Sequence, residues 1–222
     1  MKHGLLSALW LIVVASACGG TQAPPTAAPA PAPSAAPPAV QYKSAFDKGS
    51  TEGWTSILGN WWVKDGTYQQ DDDRLQGAKA MLELADSDCY TLAFKARKSR
   101  PGSGGFMAIV KYQKQYVWWE LGGRDTNVSG VVGINNLNET TRQFLVEHMV
   151  WYRVKVIVNG ERLVGWLDDA QKWSIRRAPA EVTGLNAQEL ALGKGLVGLA
   201  GLGTWTAHME FTDVEVQPTC PQ

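Results

Sequence analysis

Apolar and polar residues alternate along most of the chain after residue 40. In the segment "CYTLAFKARK", Tyr90, Leu92 and Phe94 fall on one side of an extended strand, and the residues between them fall on the other. A period of two is typical of a strand that buries one face, and no segment carries the sustained 3.6-residue stripe of an amphipathic helix. The pattern therefore predicts an all-β fold.

The segment "WYRVKVIVNGERLVGWLDD" predicts a β-hairpin. Two alternating runs flank the pair Asn159-Gly160, and Asn-Gly is the strongest short-range hairpin signal. Further strands are predicted at Trp61–Lys64, Thr67–Asp71, Gly105–Tyr112, Tyr116–Leu121, Gln143–Glu147, Leu196–Ala200 and Ala207–Gln217. Together with one short helical turn expected near residues 186–190, these segments predict a two-sheet antiparallel sandwich of the jelly-roll type.

The first 17 residues have the order of a secretory signal peptide. Lys2 precedes an apolar run from Leu5 to Val14, which is too short to span a membrane, and small residues follow. The phrase "ASAC" resembles the lipobox of bacterial lipoproteins, which implies that Cys18 is lipidated and becomes the mature N-terminus. Gly19 replaces the aspartate that retains lipoproteins in the inner membrane, which favours the outer membrane of a Gram-negative envelope. Cleavage without lipidation is the alternative.

The rest of the chain divides by composition. Residues 18–40 form a Pro/Ala tract that cannot bury a core, so we expect a semi-rigid stalk. Residues 41–222 are long enough for one domain with a sizeable core. The chain carries 21 basic and 21 acidic residues, and this balance leaves no basic surface expected for nucleic acid. Membrane contact is expected through the lipid anchor only.

Several phrases, taken in order, resemble the concanavalin A-like (laminin G-like) jelly-roll module attached to bacterial and plant α-L-arabinofuranosidases. They are "WWVKDGTYQQ", "YTLAFKARK", "GGFMAIV", "YVWWELGGRDTN", "WYRVKVIVNGERLVGWLDD", "GLVGLAG" and "MEFTDVEVQ". The resemblance runs from Phe46 to Val216 and implies an accessory jelly-roll module. Arg124 and Asp125 depart from the family, which usually has a tryptophan after the glycine pair, so a contact made by that tryptophan would be missing or replaced. We expect the module to stand alone, without the catalytic barrel of those enzymes.

The sequence offers no catalytic constellation. Retaining laminarinase-type enzymes share this fold and carry the pattern Glu-x-Asp-x-x-Glu, because their reaction needs two carboxylates about 5 Å apart. In "EFTDVE" the spacing differs, and Glu210 and Asp213 fall on opposite faces of a strand. His148 and His208 lie in no metal-ligand spacing and beside no Gly-x-Ser-x-Gly turn. Binding is therefore favoured over catalysis, and no catalytic residue is predicted.

Two acidic phrases leave a structural calcium ion as an alternative to a protein without cofactor. "DDDR" at Asp71–Arg74 and "LDD" at Leu167–Asp169 supply the oxygen ligands that calcium prefers. Their spacing is not that of an EF-hand. Charged turns that keep strand edges apart would give the same acidic phrases in the sequence. We expect no cofactor.

The candidate ligand site is built around the adjacent tryptophans of "YVWWELGGRDTN". Since neighbouring side chains of a strand point to opposite faces, we predict one indole in the core and the other on the concave face beside Glu120 or its neighbours. If Trp118, Glu120 and Arg153 face outward, they share a sheet surface. Indole faces cover the C–H faces of sugars, while planar polar groups bind hydroxyls. The predicted binding residues are Trp118, Trp119, Glu120, Arg97, Arg124, Asp125, Asn127, Arg153 and Trp166, with Trp151 as a further stacking ring.

These features favour a non-catalytic glycan-binding module displayed on a bacterial cell envelope, with a polysaccharide or other glycan as its ligand. Two alternatives stay open. One is a structural domain that binds envelope proteins and has no sugar site. The other is a sugar-active hydrolase on a similar sandwich, for which Glu120 with Arg97, Lys95 or Lys111 would be the candidates.

A disulfide is implied by the resemblance. If Cys18 is lipidated, two cysteines remain, Cys89 and Cys220, and they form an even pair in an oxidising compartment. In jelly rolls of this kind the closing strand lies antiparallel beside the strand that begins at Cys89, which would bring Cys220 next to it. Two unpaired thiols are the alternative.

Overall fold

The described residues form two antiparallel β-sheets. A computed structural model describes residues 42–123, 128–134, 140–177, 181–182 and 196–219, which all belong to one compact unit. The helical turn expected near residues 186–190 lies outside these ranges. The one helix whose bounds lie wholly within them is a single 3-10 turn at Phe46–Lys48, and no helix of the described part is long and apolar enough to cross a bilayer.

The first sheet, called the eight-stranded sheet, contains β1 (Tyr42–Lys43), β3 (Trp61–Lys64), β4 (Thr67–Gln70), β6 (Cys89–Lys98), β11 (Trp151–Asn159), β12 (Arg162–Leu167), β13 (Ala170–Arg176) and β15 (Met209–Pro218). Its order is β13-β12-β11-β6-β15-β4-β3, with β1 beside β15. The seven-stranded sheet contains β2 (Trp54–Leu58), β5 (Gln76–Leu82), β7 (Gly105–Tyr112), β8 (Gln115–Gly123), β9 (Val128–Val132), β10 (Arg142–Gln143) and β14 (Ala200–Trp205). Its order is β10-β9-β8-β7-β14-β5-β2.

The core lies between the two sheets and follows the alternation of the sequence. In β6, Tyr90, Leu92 and Phe94 are buried, while the residues between them are partly exposed on the outer face. Phe94 packs edge-on against Phe106 of β7, with ring centroids 6.3 Å apart, and so joins the two sheets. The prediction of an all-β, two-sheet antiparallel sandwich is confirmed.

The predicted hairpin is confirmed, with its turn one residue further along. Asn159 still pairs with Arg162, so β11 and β12 are joined by the two residues Gly160 and Glu161. Gly160 has φ +54, a left-handed conformation that glycine adopts without steric cost.

Two predicted strand positions differ from the structure, and several strands, β5 among them, are not predicted. The strand expected at 196–200 is wrong, because β14 begins at Ala200 and continues to Trp205. The strand expected at 143–147 ends at Gln143; beyond it, Val146 is buried, but the amide of Glu147 donates to the Tyr152 hydroxyl (2.9 Å). Strand β5 was not predicted, because its sequence "QGAKAML" is buried on both faces and does not alternate.

Candidate functional site

The outer face of the eight-stranded sheet carries two half-buried tryptophans on neighbouring strands. The inward residues of β11 fill the core, so Trp151, Arg153 and Lys155 project outward. Strand pairing sets Trp151 opposite Arg97, and Lys155 opposite Trp166. Trp151 and Lys155 are four residues apart, about 13 Å along a strand. The two indoles therefore mark the ends of one strip of surface.

Each indole is held by a cation. The Arg97 guanidinium carbon lies 4.5 Å from the centre of the Trp151 ring, and Arg97 Nε donates to Glu210 Oε2 at 2.9 Å. Since this Arg97–Glu210 pair is largely buried, it is screened less than a surface pair. Lys155 Nζ lies 4.8 Å from the centre of the Trp166 ring. Both rings are thus fixed before any ligand arrives.

Two adjoining depressions connect the indoles. One encloses about 220 Å³ beside Trp166, the other about 430 Å³ beside Trp151, and both are lined by Lys95 and Arg153. We call this combined surface the tryptophan groove. Its lining includes Lys95, Trp151, Arg153, Lys155, Trp166, Asp168, Asp169, Thr212 and Asp213.

The acids of the tryptophan groove are placed by backbone irregularities. Asp168 and Asp169 form the two-residue turn between β12 and β13, with φ values of 48 and 64, the backbone of a type I′ turn. Asp213 sits at a bulge of β15 with φ 52. Arg153 Nη2 lies 2.6 Å from Asp169 Oδ2, and Lys95 Nζ lies 2.8 Å from Asp213 Oδ2. The groove therefore alternates donors and acceptors between its two rings.

The tryptophan groove is polar and formally neutral between its two rings. Three basic side chains face three carboxylates, so formal charges balance across the groove. The side chains of Asp169 and Asp213 are 74% and 59% exposed and are ion-paired. A general acid of the glycosidase type is instead a carboxyl kept in apolar surroundings.

The predicted site residues separate into three groups. Arg97, Arg153 and Trp166 come together on the outer face of the eight-stranded sheet, with Trp151. Arg124, Asp125 and Asn127 lie outside the described residues, as do Cys18 and Cys220. Trp118, Trp119 and Glu120 belong to the seven-stranded sheet, so the expected surface shared by Glu120 and Arg153 is wrong.

The two adjacent tryptophans do point to opposite faces of β8, but neither is exposed. Trp119 is 3% exposed in the core, where its Nε1 donates to Ser129 Oγ at 2.8 Å. Trp118 is fully buried on the far face, in a second apolar cluster with Met81 and Met107. Glu120 lies on that far face and is 6% exposed. The prediction of one exposed ring is wrong, because both faces of this sheet are covered.

The sequence reading missed Lys155, Asp169 and Asp213 as groove residues. Lys155 could have been found from the alternation of β11, since it shares the outward parity of Arg153. Asp213 could not, because the bulge that turns it outward leaves no signal in the sequence.

Several of the carboxylates considered for calcium are engaged by basic side chains. Asp72 accepts from Arg74 Nε at 3.0 Å, and this hydrogen bond holds the pKa of Asp72 below its usual range. Asp169 pairs with Arg153. Within the ranges that the structure describes, no three His, Cys, Asp or Glu side chains form a group able to hold a metal ion.

Cys89 occupies the position that the predicted disulfide needs. It begins β6, which is antiparallel to β15, so the strand arrangement expected from the resemblance is confirmed. The amide of Thr219 donates to the Cys89 carbonyl at 3.4 Å, which places the residue before Cys220 beside Cys89. The Cys89–Cys220 bond itself stays a prediction.

Comparison with known proteins supports the fold. No family model matches the chain. It is 32% identical over 133 residues to the extracellular exo-α-L-arabinofuranosidase of Streptomyces chartreusis, a match that covers 56% of this chain and 16% of that enzyme. The chain thus corresponds to only a small part of the enzyme's length.

Two solved structures share the sandwich. Carbohydrate-binding module CBM66 from Bacillus subtilis superposes with a TM-score of 0.54 at 15% identity, covering 74% of this chain and 95% of the module. A Bacillus subtilis protein of unknown function with a galectin-like fold gives 0.57 at 8% identity, covering 83% and 98%. At these identities the likeness concerns the fold, which agrees with the concanavalin A-like jelly roll expected from the sequence.

Proposed function

We propose that the protein is a non-catalytic glycan-binding module and that its ligand lies in the tryptophan groove. The observation that carries the proposal is the placement of Trp151 and Trp166 at the two ends of a groove lined by Lys95 and Arg153. Such a surface combines apolar ring faces with polar groups suited to sugar hydroxyls. Because a ligand that meets both indoles must be extended, an oligosaccharide fits better than a monosaccharide.

Binding a ligand costs the side chains of the tryptophan groove little conformational entropy. Arg97 fixes one ring and Lys155 the other, so little side-chain freedom remains to be lost there. Asp169 and Asp213 already face cations and offer oxygens to sugar hydroxyls. A preorganised site of this kind supports binding without a conformational change.

The proposed location is a bacterial cell envelope, with the protein lipid-anchored to the outer membrane of a Gram-negative bacterium. The signal-like residues 1–17, the lipobox-like cysteine Cys18 and the Pro/Ala tract up to residue 40 support this proposal. On this view a lipid at Cys18 anchors the chain and the tract holds the domain away from the bilayer.

A protein-binding role is the second candidate, favoured by a different observation. Leu145 and Met149 are 54% and 50% exposed in the loop that precedes β11, and exposed apolar side chains often mark a protein contact. The hydrolase alternative loses support, because Glu120 is buried on the far face of the other sheet.

A glycan array probed with the purified protein tests the proposal. The expected result is selective binding of one or a few oligosaccharides, with none of them cleaved during prolonged incubation. Binding should weaken in Trp151→Ala and Trp166→Ala. Trp62→Ala is the matched control, since Trp62 is a half-buried indole on the outer face of β3 but lies outside the groove. A blank array together with a co-purifying envelope protein would replace this proposal by the second candidate.

A further inference from the structure

A second concave site lies at one end of the sandwich, where three loops meet. The loop after β6, the loop before β15 and the loop after β4 are tied together. The amide of Ser99 donates to the His208 carbonyl and that of Thr206 to the Leu75 carbonyl, each at 3.0 Å. Between the loops is a cavity of about 300 Å³, lined by Asp73, Arg100, Ser103 and His208 among others. We call it the rim cavity.

Basic groups outnumber acidic ones around the rim cavity. His208 Nε2 lies 3.0 Å from Asp73 Oδ2 and 3.4 Å from Arg100 Nη1. In the described part of the chain, no carboxylate lies within ion-pair distance of Arg100. Lys98, only 3% exposed, donates from Nζ to the Gly102 carbonyl at 2.8 Å. Among the residues that line the cavity, one carboxylate, Asp73, therefore faces two basic side chains, Arg100 and His208, while the nearby Asp72 carboxylate is held by Arg74.

The wall of the rim cavity is small and firmly held. Pro101, Gly102 and Ser103 present little side-chain bulk. Gly104 follows with φ +83, and a Cβ there would lie 1.9 Å from the Trp205 carbonyl oxygen. This close approach fixes the loop against β14, so the space beside Arg100 exists before a ligand enters.

We propose that the rim cavity binds an oxyanion, a carboxylate, sulfate or phosphate group, through the Arg100 guanidinium with His208 as a second donor. A planar guanidinium matches two oxygens of such a group. The Asp73 side chain is 59% exposed and can leave His208 for solvent, so it competes with the incoming anion. The site does not depend on the tryptophan groove, which lies on the sheet face rather than at this end.

Calorimetric titration tests the site: the full-length protein is titrated with inorganic sulfate and, separately, with inorganic phosphate. Arg100→Gln should weaken binding about tenfold or more, because it removes the charged donor. Asp73→Asn should strengthen it several-fold, because it removes the competing charge. Arg142→Gln is the control, since Arg142 is exposed and donates only to the neighbouring Thr141 carbonyl. These opposite signs separate binding from simple loss of folding.

The outcomes are decisive in either direction. Equal affinities for wild type and Arg100→Gln, or weaker binding by Asp73→Asn, would overturn the proposal. A uronic-acid oligosaccharide and its neutral counterpart distinguish the source of the anion. If the wild type binds the acidic oligosaccharide more tightly and Arg100→Gln abolishes this difference in affinity, the oxyanion is carried by a glycan. If the two oligosaccharides bind alike while phosphate still binds, the site takes free anions. Trp166→Ala should leave phosphate binding unchanged, so failure of the groove and failure of the rim cavity can be told apart.

Discussion

Replacing either Trp118 or Trp119 by alanine should destabilise the protein strongly. Trp118 is fully buried and Trp119 is 3% exposed, on opposite faces of the same strand. Truncating a buried tryptophan typically costs about 3–5 kcal/mol, from lost transfer free energy and from the cavity left behind. Domains typically have a free energy of unfolding of about 5–15 kcal/mol, so a variant with this loss remains folded enough for its stability to be measured.

The contacts of each ring place both losses in that range. Trp119 also loses its bond to Ser129 Oγ and its edge-to-face packing on Trp173, whose ring centre is 5.1 Å away. Those contacts are worth about 1 kcal/mol each. Trp118 loses Lys79, whose Nζ lies 4.9 Å from the centre of its ring. A cation stacked on an indole contributes about 0.5–2 kcal/mol.

Urea unfolding of the two variants and of Trp62→Ala measures these free energies. We expect the two buried-ring variants to lose several kcal/mol each, with slopes close to that of the wild type, and the Trp62 variant to lose much less. A loss below about 1 kcal/mol for Trp118→Ala would refute the reasoning, because such a value belongs to an exposed side chain.

Two further predictions concern ionisation and cross-linking. Burial raises the pKa of Tyr90, so above about pH 10 the unfolded state loses its phenol proton first and stability falls by about 1.4 kcal/mol per pH unit from this group. Tyr90→Phe should therefore show a shallower decline in alkaline urea titrations, and equal slopes would contradict the assignment. Cys89 and Cys220 should form a disulfide, closing a loop of about 130 residues worth roughly 4–5 kcal/mol. Thiol titration of the unreduced, denatured Cys18→Ala protein should find no free thiol, and a result near two per chain would exclude the bridge.

The sequence predicts β7 and β8, which are buried on both faces, as well as one-sided strands such as β11, but it misses β5. Strand β11 alternates and is predicted correctly, since all its outward positions except Ile157 are polar or aromatic. Strand β5 was missed because Lys79, on its far face, is as buried as its apolar neighbours. The burial of Trp118 has the same cause, because the second apolar cluster covers a face that the alternation rule assigns to solvent.

The candidate site depends on pairings that local patterns do not contain. The register of the β11–β12 hairpin places Trp166 beside Lys155, and the Asn-Gly pair predicts that hairpin. Lys95 meets Arg153 only because β6 and β11 pair across a long stretch of chain. Outward parity was therefore predictable for Arg97 and Arg153, whereas their meeting in one groove was not.

The affinity of the groove variants for one oligosaccharide tests the central claim most directly. The probe is the array oligosaccharide that the wild type binds most tightly, measured by calorimetry against Trp151→Ala, Trp166→Ala and Trp62→Ala. We predict that each groove variant loses about 2 kcal/mol or more of binding free energy, as expected for a central aromatic contact, while Trp62→Ala binds like the wild type. Undiminished binding by both groove variants would contradict the account and place the ligand elsewhere on the protein.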